Sequence, residues 1–235
     1  ASLVLRALAL RGLIRLRPAS VSDLIMGVVL GTLLGGRLGY ALFYMPSLFI
    51  TWLDHAPWWG LLAINEGGMS SHGGLLGVAI ACGWFARREK LPWLHITDCI
   101  CLVAPIGIFF GRLANFVNGE LLGAIVARPG RPAPWWAVKY PQELLERAPE
   151  LSDAQAMELN AIISHYAAPG DTVGVAEHRM LEALQRGEPG LAEALAPLIS
   201  ARHPSQLYQA MAEGVLVFVA LWLIWAKARR PGVIT

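Results

Sequence analysis

The 235-residue sequence predicts an all-α polytopic membrane protein, a bundle of about four transmembrane helices with a small extracytoplasmic head inserted between spans three and four. Three observations lead to that class. Hydrophobic residues make up 55% of the chain and charged residues only 15%, against about 25% charged in an ordinary soluble domain. Four apolar stretches, Leu24 to Met45, Met69 to Ala86, Ile96 to Asn118 and Gln206 to Ala226, approach the roughly 20 residues that a bilayer requires. The basic residues between them gather on alternate loops, which is the asymmetry that orients membrane helices. The 24 glycines and 15 prolines follow no triplet period, so a collagen-like chain is excluded. With 19 basic and 17 acidic residues and a net charge of +2, the chain lacks the excess positive charge of a nucleic-acid binder, and no nucleic-acid partner is expected.

Residues 1–20 form a basic segment, with Arg6, Arg11, Arg15 and Arg17 among leucines and no small-residue cleavage site. That pattern is not a signal peptide. It fits an amphipathic surface helix or the trailing end of an earlier span. Residues 21–118 then hold spans one to three with their loops. Arg87, Arg88 and Lys90 follow span two, and Lys227, Arg229 and Arg230 follow span four. These clusters and the first 20 residues fall on one side, read as cytoplasmic, whereas the opposite loop from Pro46 to Gly68 has no Lys or Arg. Residues 119–203 are accordingly the extracytoplasmic head, and 204–235 are span four with a basic cytoplasmic tail. Within the head, Trp135 to Pro141 reads as an extended piece. Ser152 and Asp153 would cap a helix running through Ile163, and a second helical stretch from Ala176 to Arg186 would stop at Gly187. The head is read as a solvated helical insertion. The chain is expected to be a piece of a longer protein.

Gly27, Gly31, Gly35 and Gly39 recur at every fourth position of span one, and the pairs Gly73 with Gly77 and Gly107 with Gly111 repeat the spacing. Such ridges let helices pack backbone to backbone. Cys82, Cys99 and Cys101 all lie in apolar spans, with no CxxC pair and no His at ligand spacing. They read as small apolar fillers rather than disulfide or zinc residues, and no metal or cofactor is expected.

Charge within the spans carries the chemical signal. Arg37 and Arg112 should lie roughly 9–12 Å below the outer surface at 1.5 Å per residue. A guanidinium at that depth is costly unless it is paired or lines a polar cavity. Asp98 falls at the opposite, inner end of its span, so both arginines are expected to meet an anion from elsewhere. A phospholipid headgroup in the outer leaflet fits, because guanidinium grips phosphate oxygens through paired donors. Other polar residues gather at the same depth: His72 at the outer start of span two, Asn115 and Glu120 at the end of span three, and His203, Ser205 and Gln206 at the start of span four. Arg112, Asn115 and Gly119 follow i, i+3, i+7 spacing and would share one helix face. Gly67, Gly68, Gly73 and Gly74 around His72 allow close approach of backbone or substrate. His55, His95, His165 and His178 lack such company and read as loop or interface residues.

Three segments, Gly67-Gly68-Met69-Ser70-Ser71-His72-Gly73-Gly74-Leu75-Leu76-Gly77, Gly111-Arg112-Leu113-Ala114-Asn115-Phe116-Val117-Asn118-Gly119-Glu120 and Arg202-His203-Pro204-Ser205-Gln206-Leu207-Tyr208, resemble the signatures of bacterial prolipoprotein diacylglyceryl transferases. Gly35-Gly36-Arg37-Leu38-Gly39-Tyr40 and Trp136 to Pro141 resemble the same family in the same order, so the likeness touches every span. The resemblance implies transfer of a diacylglyceryl group from phosphatidylglycerol to the lipobox cysteine thiol of a prolipoprotein. Glycerol phosphate would be released, without metal or nucleotide, in the bacterial inner membrane with the site facing the outer leaflet. It implies His72, Arg112, Asn115 and Glu120 as catalytic residues and Arg37, Arg112, Gly123, His203 and Gln206 as substrate-binding ones. The chemistry needs a base for the thiol, which His72 provides, and fixed positive charge for the leaving phosphate, which Arg112 and Arg37 provide.

The chain departs from the family in three respects. Family members have a span before the first one here and further spans after the last, Gln209 stands where they usually have glutamate, and Gln142 to Ala201 is longer than their usual link. The readings from other classes are a non-catalytic phospholipid-binding or transport protein, and an inactive fragment of the transferase.

Overall fold

The computed structural model describes the chain except for residues 147–150, 229, 230, 233 and 235. It is mostly helical and divides into two compact units, Ala1–Gly107 with Leu216–Thr235, and Ile108–Val215. Among the described residues three helical stretches are long and apolar enough to cross a membrane: Pro18–Phe43, Trp93–Asn118 and Ser205–Ala226. The second stretch read as a span is a 19-residue helix, Ser71–Glu89, and is not among those three. Glycines and three terminal charged residues dilute its hydropathy.

In the first unit, α1 (Ser2–Leu10) is amphipathic: Leu5, Leu8 and Ala9 face the core while Arg6 is exposed. The following helices are α2 (Val21–Phe43), α3 (Ser71–Glu89) and the start of α4 (Trp93–Asn118). Ser70 caps α3 by accepting the Gly73 N–H at 3.2 Å, and Lys90 ends it in the left-handed conformation, as helix termini require. Cys82, Phe85, Ile96, Cys99 and Leu102 pack with α1 and Leu24 in one core. All three cysteines are free, with Cys82 and Cys99 buried. Asp98 accepts the backbone N–H groups of Gly232 and Ile234 at 2.6 and 3.2 Å, which holds the C-terminal tail. Arg229 and Arg230 lie outside the described residues.

The glycine ridge is a real seam between α2 and α3. A Cβ on Gly35 would come within 2.9 Å of the Gly77 Cα, and one on Gly39 within 2.8 Å of the Gly73 Cα. The helices run antiparallel, and the pairs Arg17–Glu89 at 2.7 Å and Arg88–Asp23 at 3.0 Å clasp the end where α2 starts and α3 stops. Gly27, Gly107 and Gly111 do not take part: among the described residues, a Cβ on any of them would meet nothing within 4 Å. Spacing reveals a ridge but not its partner, so the expected Gly107–Gly111 seam is corrected here. Gly77→Leu is therefore expected to destabilise the α2–α3 pair by about 1–3 kcal/mol, the usual cost of overpacking. Gly27→Leu should change stability little. Equal thermal stability of the two variants in detergent would contradict the seam.

The second unit holds the rest of α4, then β1 (Ile125–Ala127), β2 (Val138–Lys139), α5 (Glu143–Glu146), α6 (Asp153–His165), α7 (Val173–Gln185), α8 (Leu191–Leu195), β3 (Ala201–Arg202) and α9 (Ser205–Gln209). A π-helical segment, Ala210–Leu216, follows and leads into α10 (Val217–Ala228) of the first unit. The expected helix from Ser152 is present with a full capping box, Ser152 and Gln155 exchanging bonds. Leu144, Ile163, Met180, Leu191 and Leu195 form the core under α6 to α8. The mostly helical fold carries one small addition. A three-stranded antiparallel sheet, order β1-β3-β2, pairs both Ile125 and Val138 with Arg202. Strands of two or three residues carry no readable alternation, and only Trp135 to Pro141 had marked one of them.

Candidate functional site

Within the first unit, Arg37 on α2 is buried, and its charge is met by carbonyl oxygens instead of an acid. Its Nε donates to Leu61 O at 2.9 Å, Nη1 to Gly67 O and to Gly68 O at 3.1 Å, and Nη2 to Gly60 O. Gly67 and Gly68 have φ of +83° and +79°, a conformation open mainly to glycine, and it turns their carbonyls toward the guanidinium. Four of the five N–H donors are thus spent on fastening the 60–68 loop. Arg37 is the staple of that loop, a role that burial depth alone did not reveal. His72 stands exposed in the first turn of α3, without a hydrogen-bond partner among the described residues.

The second unit gathers most of the remaining candidates. Arg112 on α4 donates from Nε and Nη2 to one oxygen of Glu213, at 3.1 and 3.0 Å. The expectation that its anion would come only from elsewhere is corrected: Glu213, 101 residues away, reaches it from the π segment. The wider π turn also brings Gly214 against Phe109, where a Cβ would sit 2.7 Å from the Phe109 Cβ. The pair is not sealed, the Arg112 side chain being 27% and Glu213 45% exposed. It borders a cleft of about 300 Å³ lined by Ile108, Gly111, Arg112, Asn115 and Glu213. Nη1 of Arg112 has no acceptor among the described residues, so donors remain for a second anion. Asn115, one turn on, adds an amide to the same cleft. Gly119 does not extend this face, because α4 ends at Asn118 and Gly119 turns to φ +68°.

Beyond that turn, Glu120, Gly123, His203 and Gln206 form one polar lock. Gln206 is fully buried. It accepts from the Tyr140 hydroxyl at 3.1 Å and donates to the Glu120 backbone carbonyl. Burial raises the Tyr140 pKa above its ordinary value, against a lowering by the Gln206 bond, so the phenol remains a donor at neutral pH. The Glu120 carboxylate accepts from Asn118 Nδ2 at 3.2 Å. Gly123 packs on the His203 backbone, and a Cβ there would lie 3.0 Å from Ser205 Oγ. His203 stacks on Trp136, ring centroids 4.9 Å apart, with Nδ1 at 3.4 Å from the Tyr208 hydroxyl. Gln209 carries a buried Oε1 without a partner among the described residues.

Sequence reasoning missed the pair beneath this lock. Arg202 Nη2 meets Glu143 Oε1 at 2.6 Å, with side-chain exposures of 5% and 0%. Arg202 also donates to Gly123 O at 2.9 Å, and Glu143 accepts the Ser200 N–H at 2.9 Å. Arg202 opened a recognised motif, but nothing in the sequence marked Glu143, 59 residues earlier, as its partner. Among the described residues no three His, Cys, Asp or Glu side chains are grouped as metal ligands.

Known proteins align with most of this chain. The model of the prolipoprotein diacylglyceryl transferase family matches residues 1–235. A phosphatidylglycerol–prolipoprotein diacylglyceryl transferase of Bdellovibrio bacteriovorus is 41% identical over 230 residues, covering 91% of this chain and 64% of its own length. Proteins of the same name from Polynucleobacter necessarius and Xanthomonas campestris are 35% and 40% identical, with 90% and 88% of this chain covered. The chain spans 56% and 55% of those two relatives' lengths. With the motifs of α2, α3, α4 and α9 in their expected order, the chain belongs to the prolipoprotein diacylglyceryl transferase family.

Proposed function

We propose that this chain transfers the diacylglyceryl group of phosphatidylglycerol to the cysteine thiol of prolipoproteins, in the bacterial inner membrane. The observation that carries the reading is the half-engaged guanidinium of Arg112, which borders an open cleft beside Asn115 with donors to spare. In the proposed reaction the cysteine sulfur attacks the glycerol carbon that bears the phosphate. The carbon–oxygen bond breaks and glycerol phosphate leaves. Negative charge grows on the departing oxygen, and Arg112 binds it through paired donors. His72 takes the thiol proton, since the thiolate is the nucleophile. Asn115 and Glu120 orient the headgroup. Gly123, His203 and Gln206 bind substrate through the lock that closes over the end of α4. Arg37, with most of its donors spent, serves substrate binding by holding the 60–68 loop rather than by gripping phosphate.

The proposed topology has four spans, with α3 as the second. Its low hydropathy is tolerable because Gly73, Gly74 and Gly77 are covered by α2. The basic segment, the α3–α4 turn and the tail face the cytoplasm, and residues 119–203 form the extracytoplasmic head. Lipobox-bearing signal peptides and the outer leaflet are then the partners.

The test is expression in a bacterium depleted of its own transferase. A cysteine-bearing prolipoprotein is expected to gain a thioether lipid and to become a substrate for signal-peptide removal. With His72→Gln, conversion should fall by about 10²–10⁴-fold, the range that a positioned base supplies. Accumulation of unmodified prolipoprotein with the unaltered chain, alongside retained phosphatidylglycerol binding, would instead favour a lipid-binding protein.

A further inference from the structure

We infer that the groove between the end of α3 and the start of α4 binds an anionic phospholipid of the inner leaflet, distinct from the lipid consumed at Arg112. The groove measures about 690 Å³, and its lining includes Ile80, Gly83, Trp84, Arg87, Lys90 and Trp93. Gly83 forms the floor: a Cβ there would lie 3.8 Å from Trp93 Nε1. Ile80, Trp84 and Trp93 are exposed apolar walls of the kind an acyl chain covers. Tryptophans at this level are suited to the headgroup boundary, with an apolar ring and a polar N–H. The Trp93 N–H has no acceptor among the described residues.

The charge distribution decides the occupant. The run Arg87-Arg88-Glu89-Lys90 is internally divided. Arg88 turns to Asp23 at 3.0 Å and lies over the Trp84 ring, 5.7 Å from its centroid. Glu89 is taken by Arg17 at 2.7 Å. Arg87 and Lys90 are left lining the groove, and neither meets a carboxylate among the described residues. Two unanswered cations at the mouth of an apolar slot match a phosphate carried on acyl chains. A free phosphate would leave the slot uncovered, and a choline headgroup would bring a cation of its own. The assignment to the inner leaflet rests on the topology proposed above, in which Arg87 to Lys90 are cytoplasmic.

The test is native mass spectrometry of the 235-residue chain carrying Arg112→Ala, which removes the other phosphate-binding guanidinium, titrated with phosphatidic acid or phosphatidylcholine in detergent micelles. Phosphatidic acid is expected to be retained over phosphatidylcholine. Arg87→Gln with Lys90→Gln should weaken that retention by about tenfold or more, from roughly a factor of five per cation near an anionic lipid. Gly83→Leu, which fills the slot and keeps both charges, should weaken it comparably. Undiminished retention in both variants, or equal retention of the two lipids, would overturn the site. Lipid retention is read independently of transfer, so it stands apart from the proposed activity. Lys90→Cys should react with an impermeant maleimide only from the cytoplasmic side, and reaction from outside would overturn the inner-leaflet assignment.

Discussion

Arg112→Ala is expected to lower diacylglyceryl transfer by about 10²–10³-fold, the effect of removing one preorganised charge-stabilising donor. The substitution has two consequences that must be separated. It removes the donors that border the cleft, and it leaves the Glu213 carboxylate without its partner at 3.0 Å. Unpaired charge in a membrane-embedded helix is itself costly. The double variant Arg112→Ala with Glu213→Gln cancels that second effect. If the guanidinium acts on the leaving phosphate, the double variant stays as inactive as the single one. Were Arg112 only a counter-ion for Glu213, the double variant would recover. Arg112→Lys keeps a charge but loses the planar paired donors, and its transfer should fall between the alanine variant and the unaltered chain. Glu213→Gln alone should retain transfer, because the donors remain and lose only their resting acceptor.

The second large effect is structural. Removing either member of the Arg202–Glu143 pair is expected to destabilise the unit formed by Ile108–Val215 by about 3–5 kcal/mol. The pair is almost fully sealed, and it is the joint of several elements. Arg202 sits on the central strand β3 and ties down the Gly123 carbonyl, while Glu143 on α5 holds the Ser200 N–H. Arg202 Nε and Ser200 Oγ are buried without partners among the described residues, so the unit already carries some polar strain and tolerates little more. Glu143→Ala or Arg202→Ala should therefore unfold at markedly lower temperature and be cleaved by protease within Ile108–Val215. Replacing both by leucine and methionine of similar volume is expected to recover much of the loss, since what costs most is the lone buried charge. Equal stability of all these variants would remove the pair from the account of how Gly123, His203 and Gln206 are held.

How far the sequence could be read depended on the range of each interaction. Apolar runs, caps and basic loops are local, and so α2, the Ser152 cap and the helix after it were legible. The ridge of Gly31, Gly35 and Gly39 announced close packing, yet Gly27 and Gly107 carry the same spacing and a Cβ on either would meet nothing within 4 Å among the described residues. Arg37 and Arg112 were both visible as charges within apolar stretches. Their partners were not, because one set is a row of loop carbonyls and the other is a carboxylate delivered by a π segment. No residue pattern marks a backbone carbonyl as a ligand, and a π turn shifts a side chain around the helix axis away from the face that α-helical spacing assigns. The sheet escaped for a related reason: its strands, two or three residues long, are too short to alternate.

The most direct test follows both halves of the substrate in one reaction. The 235-residue chain would be reconstituted with phosphatidylglycerol labelled separately in its acyl chains and its glycerol headgroup, together with a lipobox-cysteine peptide. The account predicts one glycerol phosphate released for each thioether-linked diacylglyceryl peptide formed, with both products lost together in Arg112→Ala. Phosphatidylglycerol that binds and remains whole, or headgroup release without peptide modification, would contradict it.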